Sequence, residues 1–448
     1  MKRDLKPARK VSGVMRVPGD KSIAHRAALI SIIAGGQITV RNFPDNADCN
    51  SSLGAAQALG VTVANDENGT ITLTPPTRLS VPRDTVIDCG NSGTTARLLA
   101  GLVAGTNQRA ILSGDESLSR RPMARIVEPL CAMGAEITAT DGHLPLMVQG
   151  RPLLPFEYRL PVASAQVKSA LLLAGVAAGC SVALQEDVVT RDHTELMLSY
   201  LGTRIEVREI SPVLQPDPVD PRKKRRIMPE DFQREIRLAS RTRPGGGELD
   251  IPGDISTASF FFAAAALTGG TITVEQVGLN PTRTAFLEHL KNIGVQVSIA
   301  NRSVVCGEPR GDVTVTGAEL KGRKVSGEDT AAMIDEIPII AVLAAFSKGE
   351  TIVRDAAELR VKESDRIEAI AWNLRQMGVP CGVLEDGLII DGRKDPSGGD
   401  FKAFGDHRIA MAFSIAALGA VGPSTLDDPV SVNISCPAFF ELLARVVR

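Results

Sequence analysis

The chain is poor in aromatic residues, with 13 Phe, 2 Tyr and 1 Trp in 448 positions. That is too few for the stacking platforms on which single-stranded nucleic acids are bound. It also lacks an excess of either charge. Lysine and arginine number 50 against 52 aspartates and glutamates, a formal net charge of -2, so no global field draws the chain to nucleic acid or anionic lipid. Any anion site must be local. The seven cysteines, at 49, 89, 131, 180, 306, 381 and 436, are scattered, odd in number and never spaced as CxxC. This argues against a disulfide framework or a zinc site and suits a reducing cytoplasm. The longest uncharged apolar stretch, 170–184, falls short of the ~18 residues a membrane span needs. The basic MKRDLKPARK is followed by VSGVMRVPGD rather than an apolar run, so no signal peptide is expected. The expectation is a soluble cytoplasmic protein with no membrane and no nucleic-acid partner.

What is present is an ordinary globular balance, 44% hydrophobic and 23% charged, in a chain longer than one core usually organises. Two domains are expected, and the sequence repeats itself. PGDKSIAHRAALISIIAGGQITV (18–40) and PGDISTASFFFAAAALTGGTITV (252–274) agree at 10 of 23 positions without a gap. A small-residue turn, an apolar helical run, a glycine stop and a short β-rich run recur six times, with stops at Gly36, Gly105, Gly179, Gly270, Gly349 and Gly422. A second helix then closes on glycine five times, at 60, 134, 202, 294 and 378. The spacing is long enough for a βαβαββ unit each, three per domain. The duplication predicts a first domain over 19–250 and a second over 1–18 plus 251–448, with two strands crossing near Gly19 and Gly253. Residues 209–247, proline-rich and carrying RKKRR at 222–226, read as an inserted surface loop, since like-charge blocks repel and stay hydrated.

The chemistry gathers at helix starts, where free N–H groups and the positive dipole end favour anions. PGDKSIAHR offers Ser22 as a helix cap, with Lys21 and Arg26 able to converge on one phosphate or carboxylate. A capped helix with solvated charges is the plain alternative. The duplicate favours the anion site, because it keeps the turn and the serine but has Ile255 and Phe260 where the cations stand. Asp20 occupies a position that a phosphate P-loop reserves for glycine. DCGNSGTTAR (88–97) offers backbone amides at Gly90 and Gly93, with Thr94 or Thr95 as cap; SAQVKS (164–169) adds a third start. SRRPM places Arg120 and Arg121 before a helix-start proline, one of them pointing inward. RVKESDR (360–366) sets Lys362 and Arg366 four apart, on one helical face. GDHR (405–408) and MIDEIP (333–338) open two further units. RDHTE (191–195) holds metal-capable residues without a partner cluster, so no metal is expected.

Together, PGDKSIAHRAAL, DCGNSGTTARL, SRRPM, SAQVKSALLLAG, TRDHTE, PGDIS, IDEIP, RVKESDR and GDHRIAMA resemble the 3-phosphoshikimate 1-carboxyvinyltransferase (EPSP synthase) family, in order from about Ser12 to Leu443. The resemblance implies a two-domain inside-out α/β barrel, an α/β (α+β) fold of six βαβαββ repeats. It also implies transfer of the enolpyruvyl group of phosphoenolpyruvate to the 5-hydroxyl of shikimate 3-phosphate, with no cofactor and as a monomer. By position, Lys21, Ser22, Arg26, Ser164, Ala165, Gln166, Arg191, Asp335 and Lys362 would hold shikimate 3-phosphate. Lys21, Asn91, Gly93, Arg121, Gln166, Arg366 and Arg408 would hold phosphoenolpyruvate. Lys21, Asp335 and Glu363 would be catalytic, Asp335 accepting the hydroxyl proton and Glu363 managing the proton at the methylene carbon. Domain closure would follow as bound anions neutralise the repulsion between cations.

Ala165 and Arg191 depart from the enteric branch and resemble a second bacterial branch that includes glyphosate-tolerant members, though Gly93 is kept. The UDP-N-acetylglucosamine enolpyruvyl transferases share fold and donor but use a loop cysteine near SRRPM, and 109–129 contains none. A non-enzymatic RNA-binding repeat protein using RKKRR is the alternative from another class.

Overall fold

A computed structural model of the chain describes residues 2–210, 213–216, 224–227 and 232–448. Six helices carry the core: α1 (Lys21–Ile30), α2 (Gly93–Ala104), α3 (Ala165–Ala178), α4 (Ile255–Thr268), α5 (Ile337–Ala345) and α6 (His407–Gly419). From α2 to α6 nearly every residue is buried. Helices apolar all round are interior helices. The sheets lie outside them, which is the inside-out arrangement that a helix-centred core requires.

The second and third repeats show the unit most plainly. Thr85–Asp88 runs parallel to Arg109–Ser113, followed by the antiparallel His143–Gln149 and Glu136–Thr140. In the third, Phe156–Arg159 runs parallel to Val182–Glu186, and Arg234–Leu238 lies between that strand and Ile205–Glu209. The fifth repeats the pattern with Lys324–Val325, Glu350–Val353, Gly387–Asp391 and Cys381–Leu384. Each is a βαβαββ unit. In the fourth the parallel entry strand is Ser12–Met15, beside Thr271–Gly278, and in the sixth Arg3–Leu5 pairs with Ser424–Leu426. The N-terminal segment is therefore part of the second half's sheets, and Gly247–Asp250 closes the first repeat's sheet beside Ile38–Arg41.

Two compact units result: 1–24, 42–50 and 250–448 in one, 25–41 and 51–249 in the other. Within the first, the two PGD turns are joined by backbone hydrogen bonds, from Asp20 N–H to the Pro252 carbonyl and from Asp254 N–H to the Pro18 carbonyl. Gly19 is required there, because a Cβ would lie 2.0 Å from the Asn42 carbonyl oxygen. The five glycines ending the second helices all have positive φ, between 70° and 108°, a conformation that disfavours any side chain.

The expected surface insertion over 209–247 is too long. Arg234–Leu238 is an interior strand of the third sheet with Ile236 fully buried, so only the connection between Glu209 and Arg234 departs from the pattern. Its described part is a two-stranded ribbon, Val213–Pro216 against Lys224–Ile227. Arg222 and Lys223 of the basic run lie outside the described residues. The charge pattern marked the connection, but Ile236 and Leu238, alternating with Arg237, mark the strand that ends it.

Candidate active site

In the first unit, α1 is capped by Asp20 rather than by the expected Ser22. The Asp20 carboxylate accepts from the Ile23 N–H at 3.1 Å and ion-pairs with buried Arg283 at 3.3 Å. An aspartate that both caps a helix and meets a buried arginine outcompetes a serine two positions further on. Lys21 thereby occupies the first helical position, its Nζ 2.7 Å from Asp48. Burial would lower the Lys21 pKa, but the Asp48 carboxylate outweighs it and holds the ammonium above its ordinary range.

Around the starts of α5 and α6 the charges interlock. Asp406 caps α6 through the Arg408 N–H at 2.9 Å and accepts from Arg366 Nε at 2.8 Å and Nη2 at 3.2 Å. Arg366, only 1% exposed, also donates from Nη2 to Glu363 at 2.7 Å. Its Nη1 lies 3.7 Å from Asp335, is buried and makes no hydrogen bond. Burial would depress this guanidinium's pKa, yet Asp406, Glu363 and Asp335 push it above its ordinary value. Arg408 donates to the Asp335 carbonyl at 2.8 Å and stands 3.8 Å from the Asp335 carboxylate and 3.6 Å from Glu336. His407, also 1% exposed, has no partner on either ring nitrogen. Burial first, then the Lys21, Arg408 and Arg366 cations, drive its pKa well below the usual range, so the ring is neutral. Lys362 donates to Glu358 at 3.0 Å. It does not share a helical face with Arg366, because a 3₁₀ turn ends at Val361 and a new helix starts at Arg366. Asp365 restarts the helix as its cap, accepting from the Glu368 N–H at 3.2 Å.

In the second unit, Ser92 caps α2 through the Thr95 N–H at 3.1 Å, in place of the threonines expected. Arg121 is buried and donates to Asn91 at 2.8 Å and Ser117 at 3.2 Å, whereas Arg120 is exposed beside Glu116. One arginine of the pair does turn inward, although Pro122 precedes the helix Ala124–Ala132 by two residues instead of opening it. A Cβ on Gly93 would lie 2.8 Å from Arg97 Nη1 and 3.4 Å from Arg121 Nη1. The glycine admits both guanidinium tips. Arg97 donates to Gln166 at 2.8 Å, and Gln166 donates to Thr94 at 3.0 Å, tying α2 to the start of α3, which Ser164 caps. Arg26 is buried, donating to Thr194 at 2.6 Å and Ser169 at 2.8 Å. Arg191 lies in the turn before the helix His193–Tyr200.

Of the expected site residues, Lys21, Ser22, Asp335, Lys362, Glu363, Arg366 and Arg408 fall in the first unit. Arg26, Asn91, Gly93, Arg121, Ser164, Ala165, Gln166 and Arg191 fall in the second. The sequence reading missed Asp48, Arg97, Asp406 and Arg283. Arg97 and Asp406 stand inside recognisable motifs; Asp48 and Arg283 carry no local signal, since only folding brings them to Lys21 and Asp20. Among the described residues no group of three or more His, Cys, Asp or Glu is placed to hold a metal ion, and no helix is long and apolar enough to cross a membrane.

Helices inside, sheets outside and six repeats define an enolpyruvyl-transferase architecture. Consistent with this, the enolpyruvyl transferase NikO from Streptomyces tendae is matched over 99% of this chain and 96% of its own with a TM-score of 0.75 at 19% identity, a likeness of fold. EPSP synthase from Acinetobacter baumannii is matched at a TM-score of 0.82, 36% identity and 100% and 98% coverage. The family model for EPSP synthase (3-phosphoshikimate 1-carboxyvinyltransferase) matches residues 5–233 and 230–443. Proteins named 3-phosphoshikimate 1-carboxyvinyltransferase are 43% identical in Anaeromyxobacter sp. (strain K), covering 97% of this chain and 93% of that one, and 40% identical in Desulforamulus reducens, covering 99% of each. The chain belongs to the EPSP synthase family.

Proposed function

We propose that this chain transfers the enolpyruvyl group of phosphoenolpyruvate to the 5-hydroxyl of shikimate 3-phosphate, giving 5-enolpyruvylshikimate 3-phosphate and phosphate. Family membership supports the reaction. The observation that carries the assignment of residues is the cluster in the first unit, where two partly exposed carboxylates, Asp335 and Glu363, flank buried Arg366 and Arg408. In this reading Asp335 accepts the proton as the hydroxyl oxygen bonds to C2 of phosphoenolpyruvate. Glu363 gives a proton to C3, turning methylene into methyl. It then takes one back as the C2–O bond to phosphate breaks, restoring the double bond. Lys21, whose charge Asp48 secures, steadies the anionic centre, and the neutral His407 adds no cation.

Phosphoenolpyruvate is assigned to Lys21, Asn91, Gly93, Arg121, Gln166, Arg366 and Arg408; the buried Arg366 Nη1, lacking a hydrogen bond, is a donor kept for an anion. Shikimate 3-phosphate is assigned to Ser22, Arg26, Ser164, Ala165, Gln166 and Arg191, together with Lys21, Lys362 and Asp335. Both substrates are small anions, for which bidentate guanidinium contacts are well suited. The protein works as a cytoplasmic monomer without a nucleic-acid partner. General acid–base help is worth about 10² to 10⁴ in rate, so Asp335→Asn or Glu363→Gln lowers turnover at least about 10²-fold with folding intact. Near-normal turnover in either variant removes that residue's role.

A further inference from the structure

Behind the assigned contacts for shikimate 3-phosphate lies a buried group of charges that the proposed mechanism does not use. Lys168, on the first turns of α3, is 0% exposed; its Nζ is 3.0 Å from Glu186 and 2.8 Å from Glu195, both of them buried. A buried ion cluster is costly to desolvate and is weak evidence for stability; where it is kept, fixing one arrangement is its best-attested use. One ammonium faces two carboxylates here, and burial already pushes the Glu186 pKa up.

The partners show what is being fixed. Lys168 also donates to the Thr190 carbonyl at 3.4 Å, and Glu186 accepts from the Thr190 N–H at 3.3 Å and from the Thr190 hydroxyl. On the other side of Arg191, Asp192 is paired with buried Arg234 at 3.2 Å. Thr194 and Ser169 are hydrogen-bonded to each other at 2.7 Å, and both accept from Arg26. Ser169 adjoins Lys168 in sequence, and Thr194 adjoins Glu195. The segment carrying Arg191 and the hydroxyls holding Arg26 are therefore tied to a single ammonium.

We infer that Lys168 is a positioning residue: by gathering Glu186, Glu195 and the Thr190 carbonyl it sets Arg26 and Arg191 in the geometry that receives shikimate 3-phosphate. The inference rests on the assignment of those two arginines under the proposed function. Lys168 touches no substrate. Its removal disorients two ligands of shikimate 3-phosphate while leaving Lys21, Asn91 and Arg121 untouched, so it acts on one substrate selectively.

Calorimetric binding of shikimate 3-phosphate and steady-state kinetics on Lys168→Met test this in the full-length protein. The expected result is binding weakened at least about 10-fold, with the KM for phosphoenolpyruvate at saturating shikimate 3-phosphate within about twofold of wild type. The loss shrinks when Arg191→Ala is already present, because the two changes remove one interaction. Should Lys168→Met fail to fold, as judged by circular dichroism, Thr190→Val decides. It deletes only the hydroxyl bonded to Glu186, and the expected result is about threefold weaker binding of the same substrate. Folded variants that bind shikimate 3-phosphate as wild type does, or that lose both substrates equally, overturn the inference alone. A wild-type protein that binds no shikimate 3-phosphate overturns the functional reading and the inference with it.

Discussion

Lys21 illustrates how a single side chain is tuned. Largely withdrawn from water and facing the Arg408 cation, it would lose its proton more readily than in water, and Asp48 prevents this. A lysine pKa held above its ordinary value keeps the ammonium charged throughout the neutral range; the charge is lost only as pH rises through the folded-state value. Asp48→Asn removes the largest opposition to burial and leaves only the weaker pull of Glu363, so the basic limb of the pH–rate profile is expected to move to lower pH. An unmoved basic limb would show that Asp48 does not set this charge. Gly93 is the second such position. Its alanine variant must displace Arg97 or Arg121, and the expected outcome is a raised KM for phosphoenolpyruvate with unchanged stability in a thermal melt. An unaltered KM would place those guanidinium tips away from the substrate.

Where two core helices approach closely, glycine makes room for the contact. In α2 a Cβ on Gly101 would lie 2.1 Å from the Ala170 carbonyl oxygen of α3. Gly54, in the helix Ala47–Ala58, is exposed with nothing within 4 Å. The same substitution should act in opposite directions. Gly101→Ala destabilises by about 1–3 kcal/mol through overpacking, while Gly54→Ala stabilises by up to about 1 kcal/mol through helix propensity; urea melts of both check the pair. Another element-level effect concerns His289 in Ala285–Asn292, whose pKa burial and Arg323 lower to about 4. The unfolded chain protonates this ring near pH 6.5, so folded-state stability falls as pH drops from 6.5 toward 4. Between pH 6.5 and 5 this amounts to about 1.5 kcal/mol, and His289→Gln removes that part of the slope. A variant with the same slope as wild type would refute the assignment.

The repeat was legible because apolar runs and glycine stops recur with the fold, and Thr271–Gly278 and Val182–Glu186 form where the β-rich runs predicted strands. A cap is ambiguous in sequence where two capping residues compete within three positions, as with Asp20 and Ser22 or Ser92 and Thr95. Lys362 and Arg366 have helical spacing but no common helix, because the Ser364–Asp365 start signal between them begins a new one. Asp48, Arg283 and the Lys168 cluster were invisible for a different reason. Their partners are distant in sequence, and a buried ion pair leaves no periodic trace.

For the whole molecule, the division of charge is the essential feature. A chain of net charge -2 gathers arginines and lysines at helix starts in each of its two units, while its most basic run lies in the loop between Glu209 and Arg234. If that loop were the functional element, filter binding of RNA would show a steep dependence on salt; the expected result is no such binding. The most direct measurement of the central claim is phosphate release by the purified full-length protein. Release is expected only when phosphoenolpyruvate and shikimate 3-phosphate are both supplied, abolished by omitting either and not restored by UDP-N-acetylglucosamine. Release with UDP-N-acetylglucosamine as acceptor, or none with the complete pair, would contradict it.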